Sequence, residues 1–542
     1  MIIASNAKES SKSLVLYLFK VLIHKYKCQP KPLKHIAIGT AAIITLLYFN
    51  FRKLSTPPKH LRHIPYVSYV RMMKGFLTGE SLPSITKRVI DPVLASSSLG
   101  LYLRPSRRIW VVCVADPQIA KFVYNKNDLF PKLDLTMFNK GTLNGKFSVR
   151  ANNLFFSVGE EWKRQRRIAN PAFHRAMPIN SFGRYAENLI KALDKNLSST
   201  NNTIDMSDFI QRYTLDVIGD TGFDFKFDSL QDPNNEYVTR YEKIVNAVRQ
   251  PLFYFFPRFD QEYLWMFPKR KQEHEELALF TENVKEIIKR KKETLAQQKV
   301  DIAGPKEKDI LTLLIESATV DDNSNFTAAD DEMLLSNTCV LFTAGHETTT
   351  ASILFCMYEL AIHENIQEKT RQEVLSILGD DDKNTLPNAD QLSNMSYLNI
   401  VLKETVRLHP PSPISASRIA TQDCTLGETF VKKGTAVAID TLSLHRQSWI
   451  DPNRFDPDRF APNGEAEQKA GLGMTFAPFG GGQRHCIGRN FALNEQRIVL
   501  SMLLKKYKWS LPKDSIHRNG LVTKGIFLLS ATNMELNLTP RY

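Results

Sequence analysis

Apolar positions recurring every three or four residues run through most of this chain and predict helices over most of its length. Asp205 to Phe223 places Phe209, Ile210, Leu215 and Ile218 at helical spacing. Lys269 to Gln298 reads as a long charged helix, and Trp162 to about Asn202 as helices broken at Pro171 and Pro178. A short apolar helix, Asp309 to Ala318, falls between polar breaks at Gly304-Pro305 and Asp321 to Asn325. Strand signals occur in only two places, Tyr102 to Val114 and Arg418 to Asp440, the second turning at Gly427 and Gly434. The pattern predicts a mainly α fold with minor β (α+β).

Two apolar stretches are long enough to raise the question of a membrane. Met333 to Ile362 is the longer, yet its middle, Thr343-Ala344-Gly345-His346-Glu347-Thr348-Thr349-Thr350, would set a carboxylate, an imidazole and four hydroxyls in hydrocarbon, where such groups are costly. It reads as the central helix of a folded domain carrying a buried polar site. Ile36 to Phe51 has no such cluster. As a helix it rises about 24 Å, and Lys34, Arg52 and Lys53 at its ends could reach the headgroups of a bilayer about 30 Å thick. A membrane anchor is expected there, followed by a stiff hinge at Thr56-Pro57-Pro58. The shorter Ser13 to Ile23 stretch, interrupted by Lys20, reads as an interfacial helix. Residues 1–62 are therefore assigned to anchor and hinge, and 63–542 to one large folded unit without long linkers or repeats.

Charge and cysteine content narrow the function. The formal net charge is +14, but residues 1–62 hold eleven Lys and Arg against the single acid Glu9, which leaves +4 for the rest. The basicity belongs to one end and gives no reason to expect a nucleic-acid-binding face. Six scattered cysteines without a C-x-x-C pair exclude a disulfide scaffold and a zinc ribbon.

One segment points to chemistry. Phe479-Gly480-Gly481-Gly482-Gln483-Arg484-His485-Cys486-Ile487-Gly488 precedes an amphipathic helix, Asn490 to Tyr507. A cysteine just before a helix N-terminus has its thiolate favoured by the dipole and by free backbone N–H groups. Glycines let the backbone fold tightly beneath a flat ligand, and Arg484 supplies a fixed charge for a carboxylate. Glu404 and Arg407, at i and i+3, would alone be an ordinary helical ion pair.

The spacing F-x-x-G-x-R-x-C-x-G, complete at Phe479, Gly482, Arg484, Cys486 and Gly488, resembles the haem-thiolate signature of cytochrome P450 enzymes. Ala344-Gly345-His346-Glu347-Thr348-Thr349 is similar to the A-G-x-[D/E]-T-T of their central helix. Glu404-Thr405-Val406-Arg407 resembles their E-x-x-R, Phe455 to Phe460 their P-x-R-F segment, and Trp162 to Arg166 their W-x-x-x-R. The resemblance runs from about residue 57 to 542 and implies the microsomal, membrane-anchored type.

It implies a role for each motif residue. Cys486 is the axial thiolate on the iron of haem b, with Phe479 shielding the sulfur. Arg484, Trp162, Arg166 and Arg418 bind the propionates. Glu347 and Thr348 are an acid–alcohol pair that hydrogen-bonds and protonates bound oxygen, Thr348 beside a distorted turn of helix. His346 is a packed side chain. Glu404, Arg407 and Arg459 form a structural triad beneath the Cys486 loop. The activity implied is a monooxygenase acting on a lipophilic substrate, a steroid, fatty acid or xenobiotic, admitted past the aromatic-rich Leu252–Phe267 stretch. NADPH would contribute only indirectly, through a separate cytochrome P450 reductase, with cytochrome b5 an optional second donor. Lys163, Arg164, Arg167, Lys505 and Lys506 would form the basic docking face. The alternatives are a haem-thiolate isomerase or dehydratase acting on peroxides, and a non-catalytic haem-binding protein. The location implied is the endoplasmic reticulum membrane, single-pass, with the catalytic domain cytosolic. More positive charge before the span than after it argues for the reverse orientation.

Overall fold

The computed structural model describes residues 31–106, 109–134, 139–148, 153–174, 177–197, 202–297, 308–322, 328–525 and 528–542. Its longer helices are Lys31–Ser55 (α1), Tyr69–Leu77 (α2), Pro117–Asn125 (α3), Gly159–His174 (α4), Ile179–Asn196 (α5), Met206–Val217 (α6) and Glu236–Val248 (α7). They continue with Pro268–Gln297 (α8), Ile310–Asp322 (α9), Ala328–Ile362 (α10), Glu364–Leu378 (α11), Ser396–Leu408 (α12) and Arg489–Lys506 (α13). Helix α10, 35 residues and therefore about 52 Å long, is the axis on which α6, α8, α12 and α13 lie. Its apolar residues face neighbours on every side: Leu354, Phe355, Cys356 and Met357 are all buried. Fully buried Phe342 gathers Phe223, Phe227, Tyr241 and Phe280, with ring centroids 4.2–6.3 Å from its own.

The sheet content is small and set to one side. Strands β1 (Leu101–Ser106), β2 (Ile109–Val114), β4 (Arg418–Ile419) and β7 (Ala436–Ile439) form a sheet in the order β1-β2-β7-β4. The strands β1 and β2 form a hairpin, β2 and β7 run parallel, and β4 returns antiparallel to β7. Strand β3 (Thr203–Asp205) joins β8 (Tyr507–Ser510) and β11 (Glu535–Pro540), while β5 (Cys424–Leu426) with β6 (Thr429–Val431) and β9 (Thr523–Lys524) with β10 (Ser530–Ala531) are two-stranded. Side chains stop and start the helices: Asp116 accepts from the Gln118 and Ile119 amides to begin α3, and Asn235 accepts from Val238 to begin α7.

The helix-rich expectation holds, with four local differences. Pro171 lies inside α4, in its last turn, rather than ending it; the break falls at Pro178, ahead of α5. A proline that close to a C-terminus disturbs little helix beyond itself. Helix α10 starts at Ala328 instead of Met333, because Asp331 and Glu332 suit the positive end of a helix dipole. Strands β3, β9 and β10, two or three residues long, are too short to show an alternation, whereas β8 and β11 do alternate, burying Tyr507 with Trp509 and Leu536 with Leu538, and were not anticipated. The expected anchor run lies within α1, which leaves Ile44, Leu46 and Phe49 exposed, but among the described residues no helix is long and apolar enough to cross a membrane. The Ser13–Ile23 stretch lies outside the described residues.

Near its C-terminus α10 is clamped to α12 by one carboxylate. Glu359, 3% exposed, accepts from His409 at 2.5 Å and lies 3.3 Å from the His363 ring nitrogen. Burial pushes the Glu359 carboxyl up, but the bonds from His363 and His409 outweigh it and hold it below 4.5. The hydrogen bond to Glu359 raises His363 above 6.5. The Glu359 contribution is lost as pH falls through its lowered value, and the His363 contribution as pH rises through its raised one, so both act together between about 4.5 and 6.5. His363→Gln is therefore expected to lower the thermal midpoint by about 1–2 °C near pH 5.5 and by less near pH 9. Unfolding curves of the holoprotein across that range check this; a deficit that grows with pH contradicts it.

Candidate active site

Cys486 lies at the end of a loop closed on itself. Its amide donates to the Phe479 carbonyl at 2.9 Å, and the His485 amide to Gly482 at 3.2 Å. Gly482 has φ +62°, and a Cβ there would stand 2.2 Å from the Tyr124 carbonyl oxygen on α3, so only glycine fits. Gly488 then caps α13. The Cys486 side chain keeps accessible surface, but protein is packed densely around it. That enclosure raises the thiol, opposed by the Gly488 amide and then by Arg166, Lys132 and Arg489. Half-buried Phe479 lies along the loop, its ring 5.9 Å from the Arg489 guanidinium. The His485 ring is exposed, its Nδ1 against the Gly482 carbonyl at 3.1 Å.

Four cations gather beside the thiol loop, and two of them, Lys132 and Arg166, act on the thiol itself. Arg484 stacks on buried Trp162 of α4, 4.0 Å from the ring centroid, and donates Nη2 to the Ser157 carbonyl. Its Nη1 is buried without a partner among the described residues. Arg418, at the start of β4, donates Nη1 to Asn127 Oδ1 at 2.9 Å and to the Phe130 carbonyl at 2.8 Å. Arg166 donates to the His485 carbonyl at 3.1 Å. Lys132 donates to the Phe155 carbonyl at 2.7 Å, its ammonium 3.6 Å above that ring. They repel one another. Burial, then Arg418 and Arg166, lower Arg484 to about 9. Burial, then Arg484 and Arg418, press Lys132 far below its usual value. A dianionic ligand would relieve that repulsion and occupy the orphaned Arg484 donor, so the residues present fit the two propionates of haem. Lys132 was not foreseen, because it belongs to none of the motifs.

On α10 the helix is regular where a distorted turn is expected. Thr348 donates to the Ala344 carbonyl at 2.8 Å, an i−4 bond that leaves the hydroxyl oxygen free to accept. Glu347 is 7% exposed; its Oε2 meets Arg249 at 2.7 Å, and its Oε1 is buried without a partner among the described residues. Burial raises this carboxyl, and Arg249 only partly offsets it. Arg249 follows α7, remote in sequence from the motif, and nothing in the sequence paired it with Glu347. His346 turns into the protein: Nε2 donates to the Gln211 carbonyl at 3.0 Å, Tyr241 is 3.4 Å from Nδ1, and burial lowers the ring to about 3.

Beneath the thiol loop, Arg407 grips Glu404 through two bonds of 2.6 and 2.8 Å, both side chains fully buried. Arg459 Nε lies 3.3 Å from the same carboxylate. Arg407 also donates to the carbonyls of His445, Pro452 and Arg454 at 2.8–3.2 Å. The basic docking face is smaller than the sequence suggested. Lys505 is buried, its ammonium 2.7 Å from Asp381, and Lys506 lies 3.9 Å from Asp194. What remains is an open recess of about 690 Å³ bordered by Lys163, Arg166, Arg167, His174 and His485.

Comparison with known proteins agrees with this arrangement. The sequence model for cytochrome P450 matches residues 102–537. Cytochrome P450 3A12 of Canis lupus familiaris is 29% identical over 418 residues, 75% of this chain and 78% of the relative. Cytochrome P450 4F8 of Homo sapiens is 28% identical over 502 residues, 91% and 92% of the two chains. Cytokinin hydroxylase of Arabidopsis thaliana is 29% identical over 371 residues, 67% and 68%. The crystal structure of the cytochrome P450DA haem domain shares the fold, with a TM-score of 0.67 at 22% identity over 82% of this chain and 90% of that one. With the family model matching most of its length, the chain belongs to the cytochrome P450 family, the haem b monooxygenases.

Proposed function

We propose that Cys486 holds the haem iron and that the chain inserts one atom of O2 into a lipophilic substrate, with electrons passed from NADPH by a separate reductase. The unpartnered Arg484 Nη1, buried among mutually repelling cations beside Cys486, carries this reading. Haem bound through a thiolate supplies the activation and cleavage of O2. Around it, Lys132, Arg166, Arg418 and Arg484 hold the two carboxylates, Trp162 fixes the Arg484 plane, and Phe479 keeps water from the sulfur. The Gly488 amide steadies the sulfur's charge. Glu347, whose carboxyl burial raises against the opposing pull of Arg249, is placed to take up and release a proton, and Thr348 presents its hydroxyl on the neighbouring position. Steroids, fatty acids and xenobiotics all suit a lipophilic pocket, and the relatives' names do not converge on one substrate.

Cys486→Ala is expected to abolish the long-wavelength band that reduced, carbon monoxide-bound thiolate haem gives. A normal band in the variant would remove Cys486 as the ligand.

Thr348→Ala should keep haem content while product formed per NADPH consumed falls about tenfold or more in the reconstituted system. Unchanged coupling would take the hydroxyl out of proton delivery. In the same system reduction should slow as salt rises, if an acidic donor is drawn to the recess beside Lys163 and Arg167.

The exposed Leu46, Phe49 and Phe51 of α1, beside Arg52 and Lys53, support attachment to a membrane, and the location proposed for it is the endoplasmic reticulum with the haem domain cytosolic. Asn196, Asn201, Asn325, Asn394 and Asn537 each begin an N-x-[S/T] sequon and should stay free of sugar on protein from a eukaryotic host. A glycan on any of them reverses the orientation.

A further inference from the structure

His445 belongs to none of the motifs, yet its ring connects the E-x-x-R helix to the thiol loop. It is fully buried at the end of the short helix Thr441–Gln447. Its Nδ1 lies 3.1 Å from the Arg407 carbonyl, and the Ala477 amide donates to its Nε2 at 2.8 Å. A carbonyl can only accept and an amide N–H only donate, so the ring is neutral with its proton on Nδ1. The Phe476 ring stacks on it, centroids 5.4 Å apart and planes at 30°. Arg407 in turn donates to the His445 carbonyl at 3.1 Å, so the two residues hold each other through backbone and side chain alike.

We propose that His445 is a positioning residue for the Cys486 loop, a fixed tautomer that transmits the placement of Arg407 to the Ala477 amide. Ala477 begins the turn, its carbonyl accepting from Gly480 at 3.0 Å, and two residues after it the Phe479 carbonyl takes the Cys486 amide at 2.9 Å. The register of the loop is thereby tied to α12 through one ring. A leucine of similar bulk would preserve packing but leave the Ala477 amide buried with no acceptor.

The inference rests on Cys486 as the iron ligand, but its first test does not. Nitrogen-15 NMR of His445 in the parent holoprotein should report the Nδ1–H tautomer; the Nε2–H tautomer overturns the proposal. The second test separates the two contacts. Gln places an amide near Nε2 and so can still accept from Ala477, whereas Asn places one near Nδ1 and can serve only Arg407. In His445→Gln the reduced carbon monoxide complex should retain the thiolate-type band, while in His445→Asn and His445→Leu conversion to the shifted, thiolate-free band should run about ten- to a hundredfold faster. Equal conversion in Gln and Asn would mean that His445 only fills space, and the proposal fails. If the variants do not accumulate, the tautomer in the parent protein decides. Should Cys486→Ala keep its band while His445 is Nδ1-protonated, the ligand assignment falls and the relay stands.

Discussion

The Glu404–Arg407 ion pair is the constraint on which the catalytic half of this molecule rests. Both side chains are removed from water, and the guanidinium spends its remaining donors on three backbone carbonyls contributed by segments 445–454. Breaking a buried pair by removing one partner leaves an uncompensated charge and costs about 3–5 kcal/mol. An apolar replacement could restore packing but could not collect those carbonyls. The pair is thus a device for fixing irregular backbone, which a short-stranded, loop-rich region cannot fix by ladders of its own. Arg459 enters the same carboxylate and ties in the carbonyls of Ile450 and Asp451.

The two sides of the site are held by different physics. On the thiol side, cations exceed the anions available and their mutual repulsion is the signature of a missing counter-charge. On the α10 side the imbalance is smaller and more local: Glu347 has Arg249 on one oxygen and nothing on the other. One arrangement suits tight retention of a fixed anion, the other a proton that must come and go.

The sequence disclosed much of this because motif residues work through their own backbone neighbourhoods. Cys486 and the Gly488 amide that opposes its burial stand two residues apart, and Glu404 with Arg407 lies within a single helical turn. The long apolar run of α10 and the long charged run of α8 can be read unaided. Arg249, Lys132 and His445 were hidden for the opposite reason. Each acquires its role from a partner brought in by tertiary folding, and none has a spacing that marks it. Lys505 misled in the same way: charge suggested surface, but the side chain is buried and its ammonium is taken up by the Leu378 carbonyl and the Asp381 carboxylate. Short strands such as β9 and β10 carry too few residues for alternation to be seen.

The crowd of cations has a consequence for how the chain comes to be made. A polypeptide that must bring Lys132, Arg166, Arg418 and Arg484 together before their counter-ion arrives works against its own electrostatics, and prosthetic-group binding then contributes to folding as any ligand of the native state does. Newly synthesised chains would depend on porphyrin supply for their survival as well as their colour, so that cellular iron metabolism sets how much of this protein persists through its exposure to quality control.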